Sequence, residues 1–216
     1  EADQSVTTAP GSGQIWYSSD DGATWTKATG FTKATSGVAR TTVASAPGDR
    51  NIMYAKAATT VAWNSAGDQD LADFFRSSDG GHTWTAFGVG NTTKFSGTAS
   101  YVRAILGGQG WYNHALIVDP SSTTTVYAGG NLALAKITNA TTSPTYTFQT
   151  DWLAQNNLPY VHADFHAATF GPDGTLYAGT DGGIFKRTNA ATNTWTSDLN
   201  IGITSHLIYS VGSSPA

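Results

Sequence analysis

The chain has 216 residues, a formal net charge of −4, no cysteine and only 12% charged residues. Its 33 Thr, 24 Gly, 19 Ser and 7 Trp stand beside a single glutamate, Glu1, a bias toward β-formers over helix formers that excludes an all-α fold. The 11 thinly spread basic residues give no footprint for nucleic acid, no apolar run reaches the ~18 residues of a membrane span, and the missing thiols exclude disulfides, thiol catalysis and cysteine-zinc sites.

In chain order, the first predicted element is a strand over Gln14 to Ser18, with room for another near Val6. It runs into the octapeptide Ser18-Ser19-Asp20-Asp21-Gly22-Ala23-Thr24-Trp25. A strand, a Pro turn and a second strand ending in Tyr-Ala follow, as Val43 to Pro47 and Ile52 to Ala55. A connection from Ala57 to Phe74 carries Trp63, Asp68, Asp70 and Asp73, and the octapeptide then returns as Ser77-Ser78-Asp79-Gly80-Gly81-His82-Thr83-Trp84. After a long connection from Gly88 to Asn113, the Pro-turn pair recurs at Ala115 to Pro120 and Val126 to Gly129. A blurred octapeptide lies around Thr138 to Tyr146, followed by a connection from Thr150 to Val161. The third Pro-turn pair is Ala167 to Pro172 and Leu176 to Gly179, a weakened octapeptide spans Thr188 to Trp195, and Leu207 to Pro215 reads as half of one more copy.

Two alternating units with a joint period of roughly 50 residues predict an all-β fold, a β-propeller of four-stranded antiparallel blades. The boundaries read as a partial blade over 1–40, blades over 41–90, 114–150 and 162–200, and the first strand of a further blade over 205–216. The repeated pattern S-x-D-x-G-x-T-W is a hairpin turn with its own physics. Gly22 and Gly81 supply positive φ, Ser18 and Ser77 with Asp20 and Asp79 can cap the turn's N–H groups, and Thr24 and Thr83 precede Trp25 and Trp84, which can bury a large apolar face. Asp20 and Asp79 are therefore read as structural.

The octapeptide resembles the Asp-box, or bacterial neuraminidase repeat, of sialidases, sortilin-type receptors and the xyloglucanases of glycoside hydrolase family 74. The runs Tyr160 to Ala167, Tyr177 to Phe185 and Gly110 to Ala115 are similar to large secreted bacterial propellers of the glycosyl-hydrolase-like class. The resemblance covers nearly the whole chain and implies a seven- or eight-bladed propeller of which this is a segment. The strand arithmetic alone also allows a four-bladed ring, closed by the last strand joining the first blade. A segment would need its missing blades or a partner chain to cover two open blade faces. Together with the low charge and abundant Thr, Ser, Asn and Gly, the resemblance implies a secreted or extracellular protein, with the bacterial cell surface as one location.

In such a meander the octapeptides lie on one end of the blades and every long connection on the other, where binding residues concentrate. Aromatics interleaved with polar groups there suit a polysaccharide or glycan, whose C–H faces stack on rings. The candidate contacts are Trp63, Tyr101, Arg103, Trp111, Tyr112, Trp152, Tyr160, His162 and His166. The run Asp68 to Asp73 can form a helical turn or a cation loop, though without the Gly and terminal Glu of an EF-hand. At strand period, His162, Asp164 and His166 project from one face and can hold a divalent ion, act on substrate, or form a buried polar network; His114 can join them, and no cofactor is required. His82 is read as a solvated turn residue.

With Glu1 as the only glutamate, the Tyr–Glu pair of sialidase chemistry is not expected. Any glycoside hydrolysis falls to aspartates, with Asp164 and Asp181 as the candidates. The other class of function open to such a chain is a non-catalytic extracellular structural or protein-interaction propeller, with the same face docking a protein or polymer.

Overall fold

Each predicted strand pair folds as a hairpin, because the intervening Pro, Gly and Asp residues turn the chain sharply while the flanking Thr, Val, Tyr and Phe favour extended backbone. The computed structural model describes residues 13–32, 38–62, 69–89, 105–141 and 143–203. The strands expected near Val6 and from Leu207 onward, together with Trp63, Tyr101 and Arg103, lie outside these.

A two-stranded sheet, β1 (Trp16–Tyr17) and β2 (Thr26–Lys27), precedes three four-stranded antiparallel meanders. The first comprises β3 (Thr41–Ala46), β4 (Asp49–Ala62), β5 (Gln69–Ser77) and β6 (Thr85–Ala86). The second comprises β7 (Ala115–Val118), β8 (Val126–Gly129), β9 (Leu134–Thr138) and β10 (Thr145–Phe148). The third comprises β11 (Phe165–Phe170), β12 (Leu176–Thr180), β13 (Gly183–Asn189) and β14 (Thr194–Thr196). Among the described residues the one helical element is a 3-10 turn at Asp198–Asn200. The chain is nearly all β, and its sheets are blades of a propeller-like fold.

Successive residues of a strand face opposite ways, so each sheet contributes one face to the sheet before it and the other to the sheet after it. On β4, Ala55 and Ala57 join Phe31, Phe75 and Trp84 in the core shared with the β1–β2 sheet. Tyr54 and Ala58 turn instead into the core with the second four-stranded sheet, among Phe74, Phe87, Leu116, Ile137 and Tyr146. A third core, with Tyr127, Leu134, Phe165, Leu176 and Phe185, joins the second four-stranded sheet to the third. Burying each of these Leu and Phe side chains contributes roughly 1.5–3 kcal/mol, so the seams hold the sheets face to face. Tyr54 adds direction, its hydroxyl donating across the seam to the carbonyls of Thr123 (2.7 Å) and Ala140 (3.0 Å).

The two full octapeptides form the same turn. Ser18 Oγ donates to Asp20 Oδ1 (2.7 Å) and accepts from Gly22 N (2.8 Å), and Ser77 repeats both bonds with Asp79 (2.7 Å) and Gly81 (2.9 Å). Thr24 and Thr83 each donate backbone N–H and hydroxyl to the aspartate, and the indoles of Trp25 and Trp84 donate to the carbonyls of Gly22 and Gly81. Gly22 (φ 89°) and Gly81 (φ 92°) sit where a Cβ would be strained. In the weakened copy the capping falls to Asn189, whose Oδ1 accepts from the N–H groups of Ala191 and Thr192.

These bonds favour the ionised aspartates. The Thr24 hydroxyl and N–H, with Ser18, lower Asp20 to about 2, and Thr83 with Ser77 lowers Asp79 further still. A carboxylate lowered on folding stabilises above its ordinary pKa near 4, and the gain is lost as pH falls through the folded value. Both turns are therefore expected to hold at pH 4 and loosen toward pH 2 and below. Hydrogen exchange at Thr24 and Thr83 across an acid series checks this, and full protection of both below pH 1 would contradict it.

The connection expected from Ala57 to Phe74 is mostly strand. Pairing continues from Ala57↔Asp73 through Ala58↔Leu71 to Ala62↔Gln69, making a long hairpin in place of the loop. Asp70 and Asp73 belong to β5, so the helical turn or cation loop is not formed over 69–73. The Asp73 carboxylate is buried and accepts the backbone N–H groups of Phe74, Gly88 and Val89. His82 is an exposed turn residue, as expected, and its ring also stacks on Tyr17 at 3.9 Å.

Candidate functional site

At the end of the sheets opposite the octapeptides, the segments leading into β7 and β11 meet the turn between β12 and β13. The backbone from Leu106 to Asn113 is tightly wound: Gln109 N donates to Leu106 O (2.7 Å), and Tyr112 N and Asn113 N both donate to Gln109 O. This turn presents Trp111 outward and Tyr112 against His166, with the Tyr112 and His166 rings edge-on at 4.5 Å and Trp111 5.1 Å from Tyr112.

Asp181 receives His166 and Tyr112. His166 Nε2 lies 2.6 Å from Asp181 Oδ1, so Nε2 carries the proton it donates, and the Tyr112 hydroxyl donates to the same oxygen at 3.4 Å. Asp164 is held apart by Asn113, whose amide donates to Asp164 Oδ1 and to Gln109 Oε1 (2.6 Å each). Burial raises the Asp164 carboxyl above the usual range, offset by the Asn113 hydrogen bond and reinforced by the Asp181 charge nearby. The two carboxylates thus differ. One is bonded to an imidazole and a phenol; the other is partly desolvated and drawn toward its protonated form.

The expected triad of His162, Asp164 and His166 on one face is not formed, which corrects the metal reading. Asp164 takes φ 66°, a left-handed conformation that breaks the period-2 alternation, and β11 begins only at Phe165. His162 Nδ1 turns to its neighbour's carbonyl, Ala163 O, at 3.1 Å, while His166 faces Asp181. Among the described residues no group of three or more His, Asp or Glu side chains is placed to hold a metal ion. His114 does not join the cluster either: it is buried toward β3, with Nδ1 3.2 Å from Thr42 Oγ1. Burial first, then the charges of Lys56 and Arg40, hold it well below the ordinary imidazole range.

Two cations that the sequence reading passed over brace the site from the neighbouring sheet. Arg40 donates through Nη1 to the carbonyls of Trp111 and Tyr112. Lys56, fully buried on β4, donates to the carbonyls of Asn113 and Gly129. Burial and the Arg40 charge lower its pKa well below the ordinary lysine value. The pairing of His166 with Asp181 also escaped the sequence: counting outward from Phe170↔Leu176 sets His166 opposite Thr180, and the register breaks at a bulge between Phe165 and Ala167.

Trp152 and Tyr160 stay exposed on the connection into β11, which is pinned by a bridge between Asp151 and Tyr160 and by the Tyr160 ring against Phe185 at 5.9 Å. A concavity of about 540 Å³ lies at the other end, between the Pro47, Pro120 and Pro172 turns, and its lining bears no titratable side chain.

Neither a family model nor a curated protein matches the chain. Among solved structures it is similar to a GH74 enzyme from Niastella koreensis, at 24% identity over 71% of this chain and 22% of that one, with a TM-score of 0.43. It is also similar to the GH74 xyloglucanase from Xanthomonas campestris, at 15% identity over 62% of this chain and 19% of that one, with a TM-score of 0.38. The chain spans about a fifth of the length of these structures.

Proposed function

We propose that this chain is part of a secreted Asp-box propeller whose long-loop end binds a polysaccharide or glycan and hydrolyses it with Asp164 and Asp181. The observation that carries the reading is the grouping of two unlike carboxylates with Tyr112, His166 and the exposed Trp111. Asp164, drawn toward its protonated form, would donate a proton to the glycosidic oxygen as the C–O bond breaks. Asp181, bonded to His166, would take a proton from the water whose oxygen forms the new bond at the anomeric carbon. Trp111 and Tyr112 offer ring faces for the sugar's C–H surface.

A panel of soluble β-glucans, xyloglucan and related glycans, followed by reducing-end release and affinity electrophoresis, tests it. Asp164→Asn and Asp181→Asn are each expected to lower hydrolysis by roughly 10²–10⁴-fold while retention in the gel persists. Trp111→Ala is expected to weaken retention itself. A panel without hydrolysis or retention would discard the glycan reading. One observation favours the non-catalytic alternative: each carboxylate already has a partner at 2.6 Å, as in a network that only fixes loops. Hydrolysis unchanged in both Asp variants would select it.

A further inference from the structure

Two positions of the repeat meet across a seam between sheets, and two successive seams fill them differently. Counting back seven residues from the turn proline gives Asn113 before Pro120 and Phe165 before Pro172. Counting two residues on from the repeated tyrosine gives Lys56 after Tyr54 and Gly129 after Tyr127. Phe165 lies so close over Gly129 that a Cβ added there would stand 2.5 Å from the Phe165 Cβ. That pair is apolar and closes its seam by packing. In the preceding seam the same positions hold Lys56 and Asn113, both 0% exposed, with the ammonium donating to the Asn113 carbonyl at 3.4 Å.

The polar pair costs stability where the apolar one supplies it. Lys56 has no carboxylate partner among the described residues, and burial, then the Arg40 charge, disfavours its charged form. Asn113 Oδ1 is buried without a hydrogen-bond partner. Both hydrogens of the amide are committed, at 2.6 Å each, to Gln109 Oε1 and Asp164 Oδ1. Those two oxygens can only accept while Asp164 is ionised, so the amide has one orientation and its own oxygen is left over. A phenylalanine at this position reaches no carboxylate. The amide does, from the turn leading into β7 to the residue just before β11. What the polar pair adds beyond packing is therefore a fixed donor on Asp164.

We propose that Asn113 is the positioning residue for Asp164: seated by Lys56, its amide claims Oδ1 and leaves Oδ2 to carry the proton of the neutral acid. Among the described residues nothing bonds to Oδ2. The same amide bond favours the carboxylate, opposing the burial that favours the acid, so Asn113 sets where Asp164 changes from one to the other. The other charges facing the carboxyl are His162 and His166 along its own segment and Asp181 from the turn between β12 and β13. Lys56 stands behind Asn113 on β4, and Tyr112 bonds to Asp181. The use of this arrangement in catalysis rests on the reading of Asp164 as proton donor; the placement of the proton does not.

Titration of the Asp164 carboxyl carbon by NMR, assigned by its loss in Asp164→Asn, tests this on the protein alone. Asn113→Leu and Asn113→Ala are each expected to raise the midpoint by roughly one pH unit, about a tenfold gain in proton affinity. Lys56→Met keeps the amide but removes its seat, and should move the midpoint the same way by less. If Asn113 only filled space, these variants would lower the urea midpoint and leave Asp164 titrating as in wild type. That unmoved titration, in whichever Asn113 variant folds, would overturn the proposal, and so would a folded Lys56→Met that titrates as wild type. On any glycan that is cleaved, the alkaline limb of the rate profile should shift upward by the same interval. A panel without cleavage would discard the hydrolase reading and leave the titration result standing. An unmoved titration beside intact hydrolysis would do the reverse.

Discussion

Asp73→Ala is expected to lower the unfolding free energy by about 3–5 kcal/mol, a large part of the ~5–15 kcal/mol available to a domain. The carboxylate lies in the seam at the base of the long β4–β5 hairpin and accepts from Phe74 N (2.9 Å), Gly88 N (3.0 Å) and Val89 N (3.1 Å). Two of those donors belong to the chain leaving β6, so one side chain ties the outer strand's exit back to β5. Truncation leaves three donors beside buried Phe74, Phe87 and Val89, where water cannot replace the lost acceptor without opening the core. Asp73→Asn, which keeps one acceptor oxygen, is expected to cost about half as much. Urea midpoints of the three chains measure the effect; an alanine variant within ~1 kcal/mol of wild type would show that the carboxylate is dispensable.

Gly30→Ala should act at the seam itself. Gly30 has φ 73°, and a Cβ there would stand 2.0 Å from the Trp84 carbonyl oxygen, a backbone atom that cannot swing aside. The substitution combines the ~1–2 kcal/mol strain of a left-handed alanine with loss of two bonds, Thr29 N to His82 O and Trp84 N to Thr29 O, at ~0.5–1.5 kcal/mol each. It also loosens Phe31 from Phe75 and Trp84, for a total near 3–4 kcal/mol. The effect should be local. Amide protection is expected to vanish at Thr29 and Trp84 while β7 to β14 exchange at the wild-type rate, and protection retained at both amides would refute the assignment.

The sequence made the local features legible and the cross-seam ones opaque. The octapeptide turn closes its own hydrogen bonds within eight residues, so Ser77, Asp79 and Thr83 could be assigned from spacing. The Pro-turn pairs were as plain, since Tyr54, Tyr127 and Tyr177 recur at one register. The β4–β5 hairpin was hidden because Ala57-Ala58-Thr59-Thr60 shows no alternation and reads as connection. At the site, Tyr112, Asp164, His166 and Asp181 were all named. Their arrangement was not, because it depends on a left-handed Asp164 that no spacing rule anticipates. Arg40 and Lys56 sit in ordinary strand context, and their importance lies in carbonyls more than 50 residues away.

Thr41, His114 and His166 each stand six residues before the turn proline of their sheet, Pro47, Pro120 and Pro172. One address in the repeat therefore holds a hydroxyl and two imidazoles in three consecutive blades. The pairs Ala44↔Tyr54, Ile117↔Tyr127 and Thr169↔Tyr177 keep the same distance from that proline, so the address can change its side chain without rewriting the register that builds the sheet. Its surroundings change with it: His114 is buried beside Thr42, whereas His166 reaches Asp181, and the scaffold in effect offers one socket per blade whose chemistry is set by its neighbours.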